Sequence, residues 1–164
     1  MEFEEIKDAL VQFEGVERRF EIIGEEQGIM IVDDYAHHPT EVEATLRTAK
    51  EGFNRRVVAV FQPHLFSRTA QFYREFARVL SLADVVVVTD VYLAREKPLP
   101  GVTGQMIADL LETEGYWVKE KNEIPVFLKS KLKRGDVVIF LGAGNINQQA
   151  FRLLEALKRE PVRK

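Results

Sequence analysis

Four unbroken apolar runs constrain this chain more than anything else in it. They are Ile29-Met30-Ile31-Val32, Val57-Val58-Ala59-Val60-Phe61, Val85-Val86-Val87-Val88 and Val137-Val138-Ile139-Phe140-Leu141. β-Branched residues with no polar alternate leave no face for water, so each run reads as a strand buried on both sides. A sheet buried on both faces needs helices on both, and the intervening segments supply them. Val42, Leu46 and Ala49 recur at helical spacing, as do Phe72, Phe76, Ala77 and Leu80, and later Phe151, Leu154 and Leu157. Strands alternating with helices of this length give a parallel sheet with right-handed crossovers.

Ahead of these units, Phe20-Glu21-Ile22-Ile23, the turn Gly24 to Gly28 and the run from Ile29 read as a β-hairpin. The expected class is therefore α/β. It is a Rossmann-like, mostly parallel six-stranded sheet with one antiparallel edge strand from the N-terminal hairpin and helices on both faces. Residues 3–13 carry a weaker helical pattern. Thr103 can cap a helix carrying Ile107, Leu110 and Leu111 that closes at Gly115, and Tyr116 to Val118 reads as a short strand. A helix with Val126, Phe127 and Leu132 follows, and Phe72, Phe76 and Trp117 read as core.

Composition removes several classes of function. At 164 residues the chain has the length of one domain. A net charge of −3 argues against nucleic acid as main partner, and the basic stretch from Lys158 to Lys164 reads as a solvated terminus. There is no cysteine, hence no disulfide frame, thiolate zinc site or cysteine nucleophile. No apolar run approaches the roughly 20 residues of a membrane span. The acidic start Met1-Glu2-Phe3-Glu4-Glu5 is unlike a signal peptide, so a cytoplasmic protein with no membrane partner is expected.

Chemistry gathers where the strands stop. All three histidines, His37, His38 and His64, lie just past the carboxyl ends of buried runs, together with Asp33, Asp34, Arg68, Asp90, Glu96 and Asn145. An open α/β sheet brings such ends to one rim, where ligands bind. Topology alone predicts polar loops there, but it does not confine every histidine to them. In the turn from Val32 to Glu41, Pro39 suits a first helical turn, and Thr40 with Glu43 fits a capping box, so the helix starts at one of these two. Adjacent side chains such as His37 and His38 point different ways and rarely share one metal. A hydrolytic metal centre built with Asp33, Asp34, His64 and Asp90 stays open, beside a histidine that bonds its own helix terminus.

Gln62-Pro63-His64 is stiffened by its proline. Arg68 falls near a helix N-terminus, which repels cations and favours anions, so it needs another reason to be there. A bound carboxylate or phosphate is one; an ion pair to Asp33, Asp34 or Asp90 is the other. Gly142-Ala143-Gly144-Asn145 lacks the third glycine of a dinucleotide fingerprint and follows the last strand, which excludes that cofactor. It is either a tight turn that admits a ligand to the backbone or a plain strand-to-helix turn. Gly-x-x-x-x-Gly-Lys is absent, and Ser67, Ser81 and Ser130 stand in no nucleophile elbow.

Five segments in order carry a family resemblance. Phe13-Glu14-Gly15-Val16-Glu17-Arg18-Arg19-Phe20-Glu21 comes first, then Asp33-Asp34-Tyr35-Ala36-His37-His38-Pro39-Thr40-Glu41. Phe61-Gln62-Pro63-His64 with Ser67-Arg68-Thr69 follows, then Asp90-Val91-Tyr92 with Ala94-Arg95-Glu96-Lys97-Pro98, and last Gly142-Ala143-Gly144-Asn145. Together, from about Ile6 to Leu157, they resemble the C-terminal domain of the Mur ligases, on the branch that takes L-alanine. The resemblance implies residues 1–164 as a single domain of this kind, with 1–14 the tail of a preceding central domain or a linker. It implies ATP-driven amide formation in peptidoglycan synthesis. The carboxylate of UDP-N-acetylmuramate is phosphorylated by ATP, and the amine of L-alanine attacks the acyl phosphate. The partners are then those substrates and the central and N-terminal domains of the same enzyme, with ATP and Mg2+ as cofactors and the magnesium ligands mostly outside this chain. On its own the chain, lacking the ATP loop, is expected to be inactive.

Residue by residue, the resemblance puts Tyr35, His37, His64 and Arg68 around the amino acid, with Arg68 and His64 on its carboxylate. Asp34 reaches toward the ATP ribose, and His38, Glu96, Gly142, Gly144 and Asn145 lie in loops bordering the site. His37 either takes the proton of the amine or shapes the pocket around a methyl group; histidine suits the first role near neutral pH. Many members carry an arginine directly after the histidine of Gln-Pro-His; Leu65 stands there, which leaves a second cationic contact without a residue. The competing readings are a metal-dependent hydrolase, a binding module without chemistry, and a related ligase that attaches a peptide and shares the Asp-Asp-x-x-His-His-Pro turn.

Overall fold

The computed structural model describes residues 3–11 and 16–159. Residues 12–15 and 160–164, which hold the end of the first helical pattern, the start of the first family-like segment and most of the basic tail, lie outside the described residues. In chain order the elements are α1 (Phe3–Val11), β1 (Glu21–Glu26), β2 (Ile29–Asp34), α2 (Pro39–Gly52), β3 (Val57–Phe61), α3 (Phe66–Leu80) and β4 (Val85–Val88). Then come α4 (Gln105–Ala108), β5 (Glu114–Trp117), a 3-10 turn (Lys121–Glu123), α5 (Ile124–Lys129), β6 (Val137–Leu141) and α6 (Asn147–Arg159).

The six strands form one sheet in the order β1-β2-β6-β3-β4-β5. β1 runs antiparallel to β2, and the other four pairings are parallel. That is the architecture expected from the alternating pattern. The chain enters at one edge, builds β3 to β5 outward, and returns to insert its last strand between β2 and β3.

Although the interior runs look uniformly apolar, their side chains divide by the two-residue period of a strand. Val57, Ala59, Phe61, Val86, Val88, Val137, Ile139 and Leu141 pack with Val42, Leu46, Phe76 and Leu80, on the side of α2 and α3. Val58, Val60, Val85, Val87, Val138 and Phe140 pack with Ile124, Leu128, Ala150 and Leu153, on the side of α5 and α6.

Register fixes where the site is. Asp34 pairs with Leu141, Leu141 with Phe61, Phe61 with Val88, and Val88 with Trp117. The carboxyl ends of five neighbouring strands therefore finish level, and the loops leaving them share a rim.

Several local expectations change. β1 continues through Gly24 to Glu26, which leaves Gln27 and Gly28 as the hairpin turn. The cap of α2 is His38, not Thr40: the His38 ring accepts from Thr40 N, Glu41 closes the capping box, and Pro39 takes the first turn as expected. Thr103 caps nothing; α4 is one turn long, and Gly115 lies inside β5 instead of closing a helix. The reason is the pinning of Gly104 against β4. A Cβ there would stand 2.0 Å from the Thr89 carbonyl oxygen. Trp117 is half-buried at the rim and donates its ring N–H to Asp90 at 3.0 Å, so it is not core.

Candidate functional site

The turn after β2 is built from its own carboxylates. Asp34 is 6% exposed, and its two oxygens accept the amides of Ala36 at 2.8 Å and Phe20 at 2.9 Å. Those bonds fold the turn and tie it to the hairpin; in this geometry Asp34 holds backbone. Asp33 is 1% exposed and accepts Arg18 Nε at 2.9 Å. Burial pushes its carboxyl above the ordinary aspartate value despite that guanidinium. Arg18 also donates to the Gly142 carbonyl at 2.6 Å and lies 4.8 Å over the Tyr35 ring. One arginine thus clamps hairpin, turn and the last strand's exit together.

Glu41, in the first turn of α2, accepts the amides of His37 at 3.0 Å and His38 at 3.1 Å. These bonds hold its carboxyl below the usual glutamate range, against the opposing effect of partial burial. His37 Nδ1 lies 3.0 Å from the Tyr35 carbonyl and 3.3 Å from Glu41. Both partners only accept, so Nδ1 carries the proton, and in the neutral ring Nε2 keeps a lone pair for another group. His38 turns away: its ring caps α2 and meets Phe72 edge-on at 5.1 Å. It is the histidine that bonds its own helix terminus.

The second wall comes from the exit of β3. α3 starts at Phe66, so Ser67 and Arg68 lie in its first turn. Leu65 caps that turn with a left-handed φ of 74°, a conformation costing on the order of 1–3 kcal/mol outside glycine. It is held by a bond from its amide to the Tyr92 carbonyl at 3.1 Å, while Tyr92 N donates to Pro63 O at 2.8 Å. His64 and Tyr92 form a parallel bridge beyond the ends of β3 and β4. Glu96 reaches the start of α3 and accepts both the amide of Ser67, at 2.9 Å, and its hydroxyl. Those bonds, with a smaller pull from Arg68, hold its carboxyl below the usual range.

Three of the four residues expected around an amino acid form a chain of rings. Tyr35 meets His37 edge-on at 5.3 Å, and His37 meets His64 at 5.9 Å. The fourth, Arg68, acts on His64 through its charge. Burial first, then Arg68 and His37, push the His64 ring below its ordinary 6.5, with Glu96 opposing. A neutral imidazole therefore stands beside a guanidinium. His64 Nδ1 and Arg68 Nη1 are both buried without a hydrogen-bond partner. The ion-pair alternative for Arg68 is not what forms: Asp33 pairs with Arg18, Asp34 with backbone amides and Asp90 with Trp117. An unpaired guanidinium N–H, with an imidazole nitrogen near it that donates in the Nδ1–H tautomer, suits the oxygens of a carboxylate.

The turn after β6 is packed from inside. A Cβ on Gly144 would stand 2.5 Å from Gln62 Oε1 and 2.8 Å from the Tyr92 ring; one on Gly142, at φ 149°, would stand 2.8 Å from the Gln62 carbonyl. Here the glycines make room for Gln62 and Tyr92. Asn145 accepts Lys121 Nζ at 2.6 Å and meets the Gln62 amide at 3.5 Å. Beyond Tyr92 opens a cleft of about 470 Å³ between the ends of β3, β4 and β5. Among the described residues no three His, Cys, Asp or Glu groups converge to hold a metal ion, which leaves the hydrolase reading without a centre. Arg18 and Tyr92 belong to the site although no spacing marks them. Both act through contacts of long sequence separation.

Comparison with known proteins relates nearly the whole chain to one family. The family model described as "Mur ligase, glutamate ligase domain" matches residues 18–144. UDP-N-acetylmuramate–L-alanine ligase of Carboxydothermus hydrogenoformans is 52% identical over 157 residues, covering 94% of this chain and 34% of that protein. The enzyme of the same name from Salinibacter ruber is 50% identical over 163 residues, covering 96% of this chain and 34% of its own length. The crystal structure of UDP-N-acetylmuramate-alanine ligase from Thermotoga maritima superposes with a TM-score of 0.77 at 36% identity, over 93% of this chain and 32% of that one. A murein peptide ligase from Psychrobacter arcticus gives 0.73 at 25% identity, over 93% and 32%. The chain spans about a third of the length of the curated relatives it matches.

Proposed function

This chain belongs to the Mur ligase family, and from that premise we propose that it is the amino-acid-binding C-terminal domain of a UDP-N-acetylmuramate–L-alanine ligase. The observation that carries the reading is that Arg68 Nη1 and His64 Nδ1 are both buried without a partner, with His64 next to the rings of His37 and Tyr35.

In the reaction, ATP phosphorylates the muramyl carboxylate and leaves as ADP. The amine of L-alanine attacks the carbonyl carbon of that acyl phosphate, the tetrahedral adduct collapses, and phosphate departs with the electron pair of the broken C–O bond. An ammonium group has no lone pair, so one proton must leave before attack. His37 Nε2 is the acceptor this geometry offers, since Nδ1 is engaged by the Tyr35 carbonyl. Arg68 and His64 hold the alanine carboxylate and thereby aim the amine. Tyr35 closes one side, under Arg18. Glu96 fixes the first turn of α3 and so the root of Arg68. In this reading Asp34 shapes the turn bordering the nucleotide through the backbone amides it accepts. Magnesium is assigned to no residue here; its ligands, like the ATP loop, are placed in the central domain, which with the UDP-sugar domain completes the enzyme in the cytoplasm.

The test is Arg68→Ala in the full-length ligase. Loss of a charge-assisted pair, about 1.5–3 kcal/mol, raises the KM for L-alanine well over tenfold and leaves the KM for ATP near its starting value. An unchanged KM for L-alanine removes Arg68 from the site and the proposal with it.

A further inference from the structure

Tyr92 has two faces. On one it stacks on His64, ring centres 5.6 Å apart and 22° from parallel. The residue also lines the 470 Å³ cleft, together with Gln62, Thr89, Lys119 and Lys121. The ring has little freedom to leave that position. Its backbone is bonded on both sides to the Pro63–Leu65 segment. Behind it, an added methyl group on Gly144 would lie 2.8–3.0 Å from ring atoms. It is a fixed partition between the cluster of His37, His64 and Arg68 and an open space large enough for several more heavy atoms.

We infer that Tyr92 is the residue that limits the size of the amino acid's side chain, closing the pocket against the cleft behind it. This rests on the ligase reading above and adds the substrate dimension to it. An amino acid anchored by its carboxylate at Arg68 and His64 carries its side chain beside the ring pair His64–Tyr92. A methyl group fits against that wall. A longer chain meets a ring held in place by its backbone bonds to Pro63 and Leu65 and by the close pass of the chain at Gly144. Past the ring, the cleft offers a glutamine amide, a threonine hydroxyl, the lysines Lys119 and Lys121 and the carboxylates Asp90 and Glu120, donors and acceptors that suit a polar, unbranched side chain such as that of L-glutamine.

The experiment measures kcat/KM for L-alanine and L-glutamine with the full-length ligase and its Tyr92→Ala and Tyr92→Phe variants. Removing the ring joins pocket to cleft, and the preference for L-alanine over L-glutamine falls by about tenfold or more, the usual weight of a few heavy atoms in a shaped pocket. Tyr92→Phe keeps the ring and stays within about twofold of the wild-type preference. A Tyr92→Ala enzyme as selective as wild type overturns the inference. Should Tyr92→Ala not fold, Tyr92→Leu replaces it, with an intermediate loss of selectivity expected and none overturning the inference. Failure of the underlying reading looks different: the wild-type ligase then joins no L-alanine, or does so with a KM indifferent to Arg68→Ala.

Discussion

His64 shows how a single residue can be legible in kind and hidden in state. Its position after a buried strand, behind a proline, marks it as a site residue from sequence alone. That it is kept neutral follows only from packing: burial, the neighbouring Arg68 and the His37 ring all disfavour a second proton. The folded ring therefore titrates below the 6.5 of an unfolded chain. As pH falls below 6.5 the unfolded state takes up a proton that the fold resists. Stability accordingly drops across the window just under 6.5, and His64 contributes nothing above it. A ring titration followed by NMR should show His64 below 6.5, and Arg68→Ala should move it part of the way back, because burial, the larger cause, remains. A His64 that titrates at or above 6.5 would undo the neutral partner assigned to the carboxylate. Leu65 is the opposite case. Nothing in its side chain announces a left-handed φ; a tertiary bond from its amide to Tyr92, with the first helical bond of α3 from Thr69 to its carbonyl, holds it.

At the scale of elements, the long helices α2, α3 and α6 and the interior strands are readable because periodicity and β-branching act locally; the one-turn α4 and the connections are not. The segment 89–104 carries Tyr92 and Glu96 into the site, and its course depends on Gly104 lying flat against the Thr89 carbonyl. In sequence that glycine looks like any loop residue, while Gly142 and Gly144 draw the eye as a motif. Its role is steric and has no periodic signature. Gly104→Ala should cost about 1–3 kcal/mol, the range for forcing extra volume into a packed site, because the obstructing atom is backbone and cannot rotate away. Gly52→Ala, with no atom within 4 Å of the added carbon, should instead gain about 0.4–1 kcal/mol by restricting the unfolded chain. Urea midpoints of the two variants, read with their m-values, distinguish these signs. Equal and small effects would mean that the Thr89–Gly104 contact relaxes freely. The swap of Thr40 for His38 as cap of α2 belongs here too: a pattern search favours threonine, but Pro39 is suited to the first helical position and so sets the cap one residue earlier.

For the molecule as a whole, sequence marks the edges of the sheet and not the order inside it. Glutamates in β1 and at the start of β5 are what an exposed edge tolerates, whereas β3, β4 and β6 are uniformly apolar and interchangeable to the eye. Insertion of β6 between β2 and β3 brings Gly142 and Asn145 beside Arg18 and Gln62, so the site's unity is a property of topology. The same view separates what is complete from what is waiting. Both apolar layers are closed without any ligand. Of the six buried side-chain polar atoms without a partner among the described residues, the rim holds four, Asp33 Oδ1, Gln62 Oε1, His64 Nδ1 and Arg68 Nη1; Arg55 Nη1 and Gln149 Oε1 are the others. A ligand that pairs with rim donors lowers the energy of loop conformations already present and leaves the core as it was. In the full ligase, L-alanine at a hundred times its Kd should therefore add about 2.7 kcal/mol of stability by mass action. Hydrogen exchange should register local protection in residues 62–68, 89–96 and 142–145, while the central strands β3 and β6 slow only by as much as global unfolding does. Arg68→Ala should cut that stabilisation to about 0.3–1.3 kcal/mol at the same ligand concentration, as a loss of about 1.5–3 kcal/mol in binding requires, and weaken the loop protection with it. Protection confined to the helices far from the rim, or absent from all three loops while binding is saturated, would place the amino acid elsewhere on the molecule.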